Sequence, residues 1–240
     1  MLGRAIRDLI RRPSPSPVKE ALQLPVHETR EYRPDVFDAP DLQAAKAIIL
    51  TPEDGLSTEQ RWQTETAYLT HVIGKALSLD ASKLVLDYGC GIGRVSKALI
   101  EQHGCRVLGV DISTAMRGLA PGYVGNDAFS TVSPTVLSVI TANGMKADCG
   151  MAIWVLQHCP AVRDDIALIK SVLKRNGLFF VLNNNTAAVP SDKGWVNDGT
   201  DVRAILEQEF TVLRFSRLPV HAATSYIAEN TFIAECRNDK

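Results

Sequence analysis

The sequence predicts a three-layer α/β fold: a mostly parallel sheet with helices on both faces and an antiparallel pair of strands at one edge. Three observations predict it. From residue 83 onward, short apolar runs alternate with segments of helical period, and strands joined through helices require right-handed crossovers and parallel pairing. Glycine clusters close the first of these runs, as they do where a strand turns sharply into a helix. The last two predicted strands follow one another with no helix between them, which antiparallel pairing accommodates.

In chain order, residues 1–12 set Leu2, Ile6, Leu9 and Ile10 at helical spacing among Arg4, Arg7, Arg11 and Arg12. Such a basic amphipathic segment makes a weak peripheral contact with an anionic membrane or a protein, or is a frayed, solvated terminus. The solvated terminus is the favoured reading. Pro13, Pro15 and Pro17 then form a stiff linker. Residues 18–55, with prolines at 25, 34, 40 and 52, wrap the domain or stay mobile. The division expected is an N-terminal extension, 1–55, and one domain, 56–240.

Within that domain "STEQRWQTETAYLTHVIGKAL" (57–77) is predicted as a helix with Ser57 or Thr58 as N-cap. Strands are predicted at 83–87, 106–112, 128–134, 148–156 and 177–184. Helices fall between them at 92–103, 135–145 and 163–174. A helix at 200–210, capped by Thr200 or Asp201, leads to two final strands, 211–218 and 226–237.

Composition narrows the function classes. A net charge of −1 over 240 residues argues against a generally basic nucleic-acid binder. No apolar run approaches the ~18 residues of a membrane span, and the start lacks the apolar core of a secretory signal. Cys90, Cys105, Cys149, Cys159 and Cys236 are scattered without CxxC spacing, which suggests neither a disulfide framework nor a metal site. A reduced, cytoplasmic protein without metal is expected.

The most informative stretch is "LVLDYGCGIGRVSKALI" (84–100). Gly89, Gly91 and Gly93 permit a tight turn and close approach of a ligand, and the helix that follows directs free N–H groups at it. The third glycine comes one residue too early for the G-x-G-x-x-G dinucleotide fingerprint, and Arg94 stands where that fingerprint needs glycine. Asp87 would repel a pyrophosphate and attract a cationic amine. Asp111 ends the next strand, in "VLGVDIS", where a carboxylate can accept both hydroxyls of a ribose. A ligand with an amino acid and a ribose fits both acids.

These two stretches resemble the first two motifs of the class I S-adenosylmethionine-dependent methyltransferases. "ADCGMAIWVLQHCP" and "LKRNGLFFVLN" resemble the fourth and fifth strand motifs, so the resemblance runs over residues 57–236. It implies a three-layer Rossmann-like methyltransferase fold, mostly parallel and seven-stranded with an antiparallel edge strand, and S-adenosylmethionine as cofactor. It carries cofactor roles onto Asp87, Gly89, Gly91, Gly93 and Asp111, with Tyr88 and Ile112 as backbone or stacking neighbours. Many members have an acid after the third strand, near the adenine amino group; "AFSTVSPTV" has none, leaving Ser130 or another neutral group there.

Methyl transfer needs an aligned nucleophile, exclusion of water and at most one base. His158, just beyond the fourth strand, reads either as that base or as a residue packing the loop. Trp154 walls the methionine part or sits in the core. Arg61, on the helix before the first strand, pairs with the methionine carboxylate or is a solvated helix arginine. The polar loop 183–201, with Trp195, is expected to serve recognition, and His221 and Tyr226 are weaker substrate candidates. The fourth strand lacks the Asn/Asp-Pro-Pro-aromatic sequence of amino methylation on DNA bases. A small-molecule, lipid or sugar acceptor is therefore expected. A protein or RNA acceptor, and a non-catalytic S-adenosylmethionine-binding regulator, are the alternatives.

Overall fold

The computed structural model describes residues 30–53 and 55–240. The basic segment 1–12 and the proline linker lie outside the described residues. Residues 30–50 form a strap. A 3-10 turn at Pro34–Phe37 leads into α1 (Leu42–Ile49), whose N-cap Asp41 accepts the Ala44 N–H at 2.8 Å. Next, α2 (Thr58–Ala76) begins with a capping box between Ser57 and Gln60, which satisfies two backbone donors reciprocally.

The alternation then unfolds as β1 (Leu84–Tyr88), α3 (Arg94–His103), β2 (Arg106–Val110), α4 (Thr114–Val124), β3 (Phe129–Val132), α5 (Pro134–Ala142), β4 (Ala147–Ile153), α6 (Val162–Val172) and β5 (Leu173–Asn184). A hairpin of β6 (Val189–Ser191) and β7 (Gly194–Val196) follows. The chain ends with α7 (Val202–Glu209), β8 (Thr211–Ser216), α8 (Ser225–Asn230) and β9 (Thr231–Arg237). The sheet order is β3-β2-β1-β4-β5-β9-β8; β1 to β5 are parallel, and β9 runs antiparallel to both neighbours.

Three expectations need correction. The antiparallel strand is β9, one in from the edge, and β8 is outermost. Residues 226–230, predicted as strand, belong to α8, whose N-cap Thr224 accepts the Ile227 N–H at 3.3 Å. The fourth strand ends at Ile153, because Trp154 has φ +59°, a conformation that strands do not continue through.

Side chains alternate across the sheet, so successive residues of one strand serve two cores. Val85, Val107, Met151 and Phe180 pack beneath α2, α3 and α4, with Leu69, Leu99 and Val124 from those helices. On the other face Leu86, Tyr88, Phe179 and Val181 meet Leu137, Ile166 and Leu206 from α5, α6 and α7. The same period turns Asp87 towards α3 and Tyr88 towards α6. A third cluster joins the strap to the domain: Ala39, Ala45 and Leu50 are buried with Trp62, Ile92 and Met116. Among the described residues no helix is long and apolar enough to cross a membrane.

Candidate active site

The glycine loop lies at the carboxyl end of β1, where α3 crosses to β2 on one side and β4 pairs on the other. This is the switch point at which open α/β sheets bind ligands. Gly89, Gly91 and Gly93 have φ of +79°, +54° and +83°, backbone that favours glycine. Each is also crowded: a Cβ on Gly89 would lie 2.4 Å from the Val155 Cβ, and one on Gly91 would lie 2.8 Å from the Ile49 Cδ1. The β4 loop and the strap helix thus press directly on the loop. The N–H groups of Gly89 and Cys90 both donate to the Val110 carbonyl, at 2.7 and 2.9 Å.

Asp111 braces this arrangement. One carboxylate oxygen accepts the Gly91 N–H at 2.7 Å and the other accepts the Ser113 N–H at 2.9 Å. Ser113 then caps α4 and donates its hydroxyl to Asp38 of the strap at 2.6 Å. Burial raises the Asp111 pKa, with those two backbone donors opposing. Asp87 is buried and accepts the Ser96 hydroxyl at 2.6 Å. Burial pushes its carboxyl up to about 7; the Ser96 hydroxyl opposes, Asp111 adds to the rise and Arg94 opposes it. One buried and one half-buried carboxyl at the mouth of one loop suit a ligand bearing a cation and hydroxyl donors. Ile112, beside them, is 48% exposed.

Tyr88 donates its hydroxyl to Asp165 of α6, so its side chain serves the opposite face rather than the loop. Arg61, whose ordinary alternative was a solvated arginine, is only 8% exposed. It donates to the Thr51 carbonyl and to Glu65 at 3.4 Å, with Glu53 at 3.9 Å. Glu65 also accepts from Arg94 at 2.9 Å and from the Trp154 indole at 2.7 Å. One buried carboxylate therefore ties α2, α3 and the end of β4 together. Sequence reasoning passed over Glu65, although it lies three residues after Trp62 and four before Leu69, on the stripe that faces the core.

His158 ends a 3-10 turn, Leu156–His158. Its Nδ1 lies 2.7 Å from the Ala188 carbonyl and its Nε2 lies 3.1 Å from the Gln157 amide nitrogen. A carbonyl only accepts, so the hydrogen of the neutral ring is on Nδ1 and Nε2 takes the amide N–H. Burial lowers the His158 pKa, and the Ala188 carbonyl opposes. The backbone beneath is pinned as well: Gln157 N donates to Asn183 Oδ1 at 3.0 Å and Ala188 N donates to the Gln157 carbonyl at 2.7 Å.

The loop 183–201 is structured where it meets this turn. Trp195 of β7, 44% exposed, lies 5.2 Å from the His158 ring, and Phe37 of the strap lies 5.5 Å from it. The strap pairs with the hairpin through Tyr32 and Ser191, and through Arg33 N to the Pro190 carbonyl at 3.1 Å. His221 packs edge-on against Tyr68 at 5.9 Å and lines a cavity of about 60 Å³ with Arg61 and Thr64. Tyr226 is half-exposed on α8. Ser130 is exposed and two residues before the end of β3; the polar residue following the strand is Ser133, the α5 N-cap.

This strand order, with an acid-flanked glycine loop at its switch point, defines a Rossmann-like domain of the class I methyltransferase type. Residues 86–181 match the Methyltransferase domain family, and over that stretch the chain is similar to class I S-adenosylmethionine-dependent methyltransferases. A ubiquinone biosynthesis O-methyltransferase from Haemophilus ducreyi is 30% identical over 109 residues, 43% of this chain and 46% of that protein. The match thus spans about half the length of such relatives. N-methyltransferase NodS from Bradyrhizobium japonicum, solved with S-adenosyl-L-homocysteine, superposes with TM-score 0.57 at 19% identity, covering 74% of this chain and 88% of NodS. Magnesium protoporphyrin IX methyltransferase from Synechocystis, solved with S-adenosylmethionine, superposes with TM-score 0.53 at 20% identity, covering 84% and 87%. These two similarities concern the fold.

Proposed function

We propose that the protein binds S-adenosylmethionine at the glycine loop and transfers its methyl group to an oxygen, nitrogen or carbon atom of a small-molecule, lipid or sugar acceptor. The observation that carries this reading is Asp111, held at the end of β2 by the Gly91 and Ser113 N–H groups, with lone pairs left for a ribose. Asp87 supplies the charge that a cationic ligand needs. When bound, the cofactor supplies a methyl carbon that the acceptor attacks while the carbon–sulfur electron pair returns to sulfur. The chain's own residues do the rest. Asp87, Asp111 and the three glycines hold the cofactor, with Ile112 against the adenine and Trp154 against the methionine chain. Arg61 sits with Glu65 beneath Trp154 as part of the same wall.

His158 Nε2 takes the acceptor's proton, and its lowered pKa leaves it free of a proton at neutral pH. Phe37 and Trp195 line the acceptor side and exclude water, which supports an acceptor with an apolar or aromatic body. His221 and Tyr226 are assigned to its far end.

Calorimetry with S-adenosylmethionine tests the reading. Each charge-assisted hydrogen bond to a ribose hydroxyl contributes about 1.5–3 kcal/mol, so Asp111→Ala should weaken binding at least tenfold. Unchanged affinity, or tighter binding of a nicotinamide dinucleotide by the unaltered protein, would sink it. Methyl-labelled cofactor incubated with cell extract then separates the acceptors: label in small molecules is expected, label in protein or RNA overturns the acceptor class, and no label with intact binding marks a regulator.

A further inference from the structure

His158 is half of a pair. Its Nε2 has a single lone pair in the ring plane, and the Gln157 amide N–H occupies it at 3.1 Å. The other end of that amide, Gln157 Oε1, is buried and has no hydrogen-bond partner among the described residues. A proton arriving on Nε2 would set N–H against N–H. A half-turn of the Gln157 amide replaces this clash with Nε2–H donating to Oε1, the atom that otherwise has no partner. Each state leaves one end of the amide unmatched, which keeps the two close in energy.

We infer that Gln157 is a positioning residue for His158: its amide caps the basic nitrogen while the ring is neutral and turns over to hold the ring once that nitrogen is protonated. The inference rests on the reading of His158 as the proton acceptor for methyl transfer. Because a half-turn in place leaves Oε1 over the same lone pair, the Gln157 side chain swings off Nε2 to admit the acceptor's X–H. The proton then moves from X to Nε2 as X bonds to the methyl carbon, and Oε1 accepts the Nε2–H once the methylated product has left. The backbone does not follow, because the turn is fixed through Asn183 and Ala188. Nδ1–H keeps its bond to the Ala188 carbonyl in both states, so the proton has one place to go.

Among the described residues no charged side chain bonds to the His158 ring, whose partners are the Gln157 amide and the Ala188 carbonyl. The ring faces Phe37 from the strap and Trp195 from β7. Titratable groups on the surrounding elements are Cys159 on the turn, Tyr32, Asp38 and the paired Arg33 and Asp35 on the strap, Arg163, Asp164 and Asp165 on α6, and Asp192 with Lys193 in the hairpin. Burial holds Cys159 as a thiol and Tyr32 as a phenol well beyond neutrality. Asp165 takes the Tyr88 hydroxyl, and Asp192 and Lys193 pair with each other at 3.8 Å.

The test is a nitrogen-15 NMR titration of the full chain without cofactor or acceptor, so that its failure is distinct from failure of the cofactor reading, which calorimetry decides. The expected result is His158 in the Nδ1–H form at alkaline pH, with the Gln157 side-chain amide resonances moving at the same midpoint as the ring. Gln157→Leu should leave the Nδ1–H form intact. With an acceptor in hand, it should also lower turnover, by less than the about 10²–10⁴-fold that the base itself contributes, and leave S-adenosylmethionine affinity within a few-fold. Gln157→Glu, which can accept from Nε2–H without turning, should raise the ring's midpoint. An Nε2–H tautomer, or a Gln157 amide that stays still while the ring titrates, would overturn the inference.

Discussion

Replacing Glu65 by leucine should remove a large share of the domain's stability. The carboxylate is 2% exposed at its side chain and takes donors from Arg94 at 2.9 Å, Arg61 at 3.4 Å and the Trp154 indole at 2.7 Å. Breaking a buried pair by deleting one partner costs about 3–5 kcal/mol, because the other charge is left uncompensated. The residual partners set where in that range the loss falls. Arg61 keeps the Thr51 carbonyl, and Arg94 keeps the Thr66 hydroxyl at 3.1 Å and the Trp62 ring at 5.5 Å. The loss should therefore lie near the lower end, about 3 kcal/mol. For a domain of this size it lowers Tm by roughly 6–12 °C. Circular-dichroism melting at neutral pH measures it, and repeating the melt at high salt checks the origin, since buried charges are screened far less than exposed ones. A double exchange, Glu65→Leu with Arg94→Met, should recover part of the loss by removing one stranded charge. A loss under about 1 kcal/mol, or one that vanishes in salt, would show that the arginines are solvated and the argument wrong.

Two further predictions concern the glycine loop. The Asp87 carboxyl, pushed up to about 7, keeps a proton in the folded chain over a range where the unfolded chain has lost it, so its contribution to stability falls as pH rises from about 4 to about 7. Asp87→Asn should thus gain stability relative to the unaltered protein across that window in denaturant melts. In the unaltered protein S-adenosylmethionine affinity should rise as pH rises through about 7, since only the carboxylate attracts the amine; flat profiles in both assays would refute the assignment. Gly89→Ala should destabilise more than Gly91→Ala, because it meets the Cβ of Val155 rather than the flexible end of Ile49. Equal losses in urea unfolding would contradict this.

The central sheet was legible because strand and helix periods alternate cleanly from β1 to β5, and because the acid–glycine–acid spacing belongs to one strand end. The last helix was not. "SYIAEN" is apolar enough to read as part of the following strand, and only Thr224, as a capping residue, signalled otherwise. The hairpin inside loop 183–201 had a weak signature, Gly194 in the left-handed region at φ +93°. At the site, Asp111 and the glycines could be found locally, since their partners lie within a few residues of the same strand ends. Asp38 and Phe37 could not: their contacts, Ser113 and the His158 ring, are distant in sequence and were brought close by the strap. Gln157 escaped for another reason, as its importance depends on which end of its amide meets a ring nitrogen.

The strap also gives the chain a schedule. Glu31 donates its N–H to Asp192, 161 positions later, and Asp192 returns a bond to the Glu31 carbonyl at 3.0 Å. On a ribosome adding ~5–20 residues per second, residues 30–33 leave the tunnel roughly 10–30 s before the hairpin that pairs with them exists. During that interval β1, α3 and β2 are already complete as sequence, while the clasp that links the strap to β6 has only one half. The clasp therefore closes only after residue 196 has been made, so the strap is the first part of the described chain to be synthesised and among the last to be fastened.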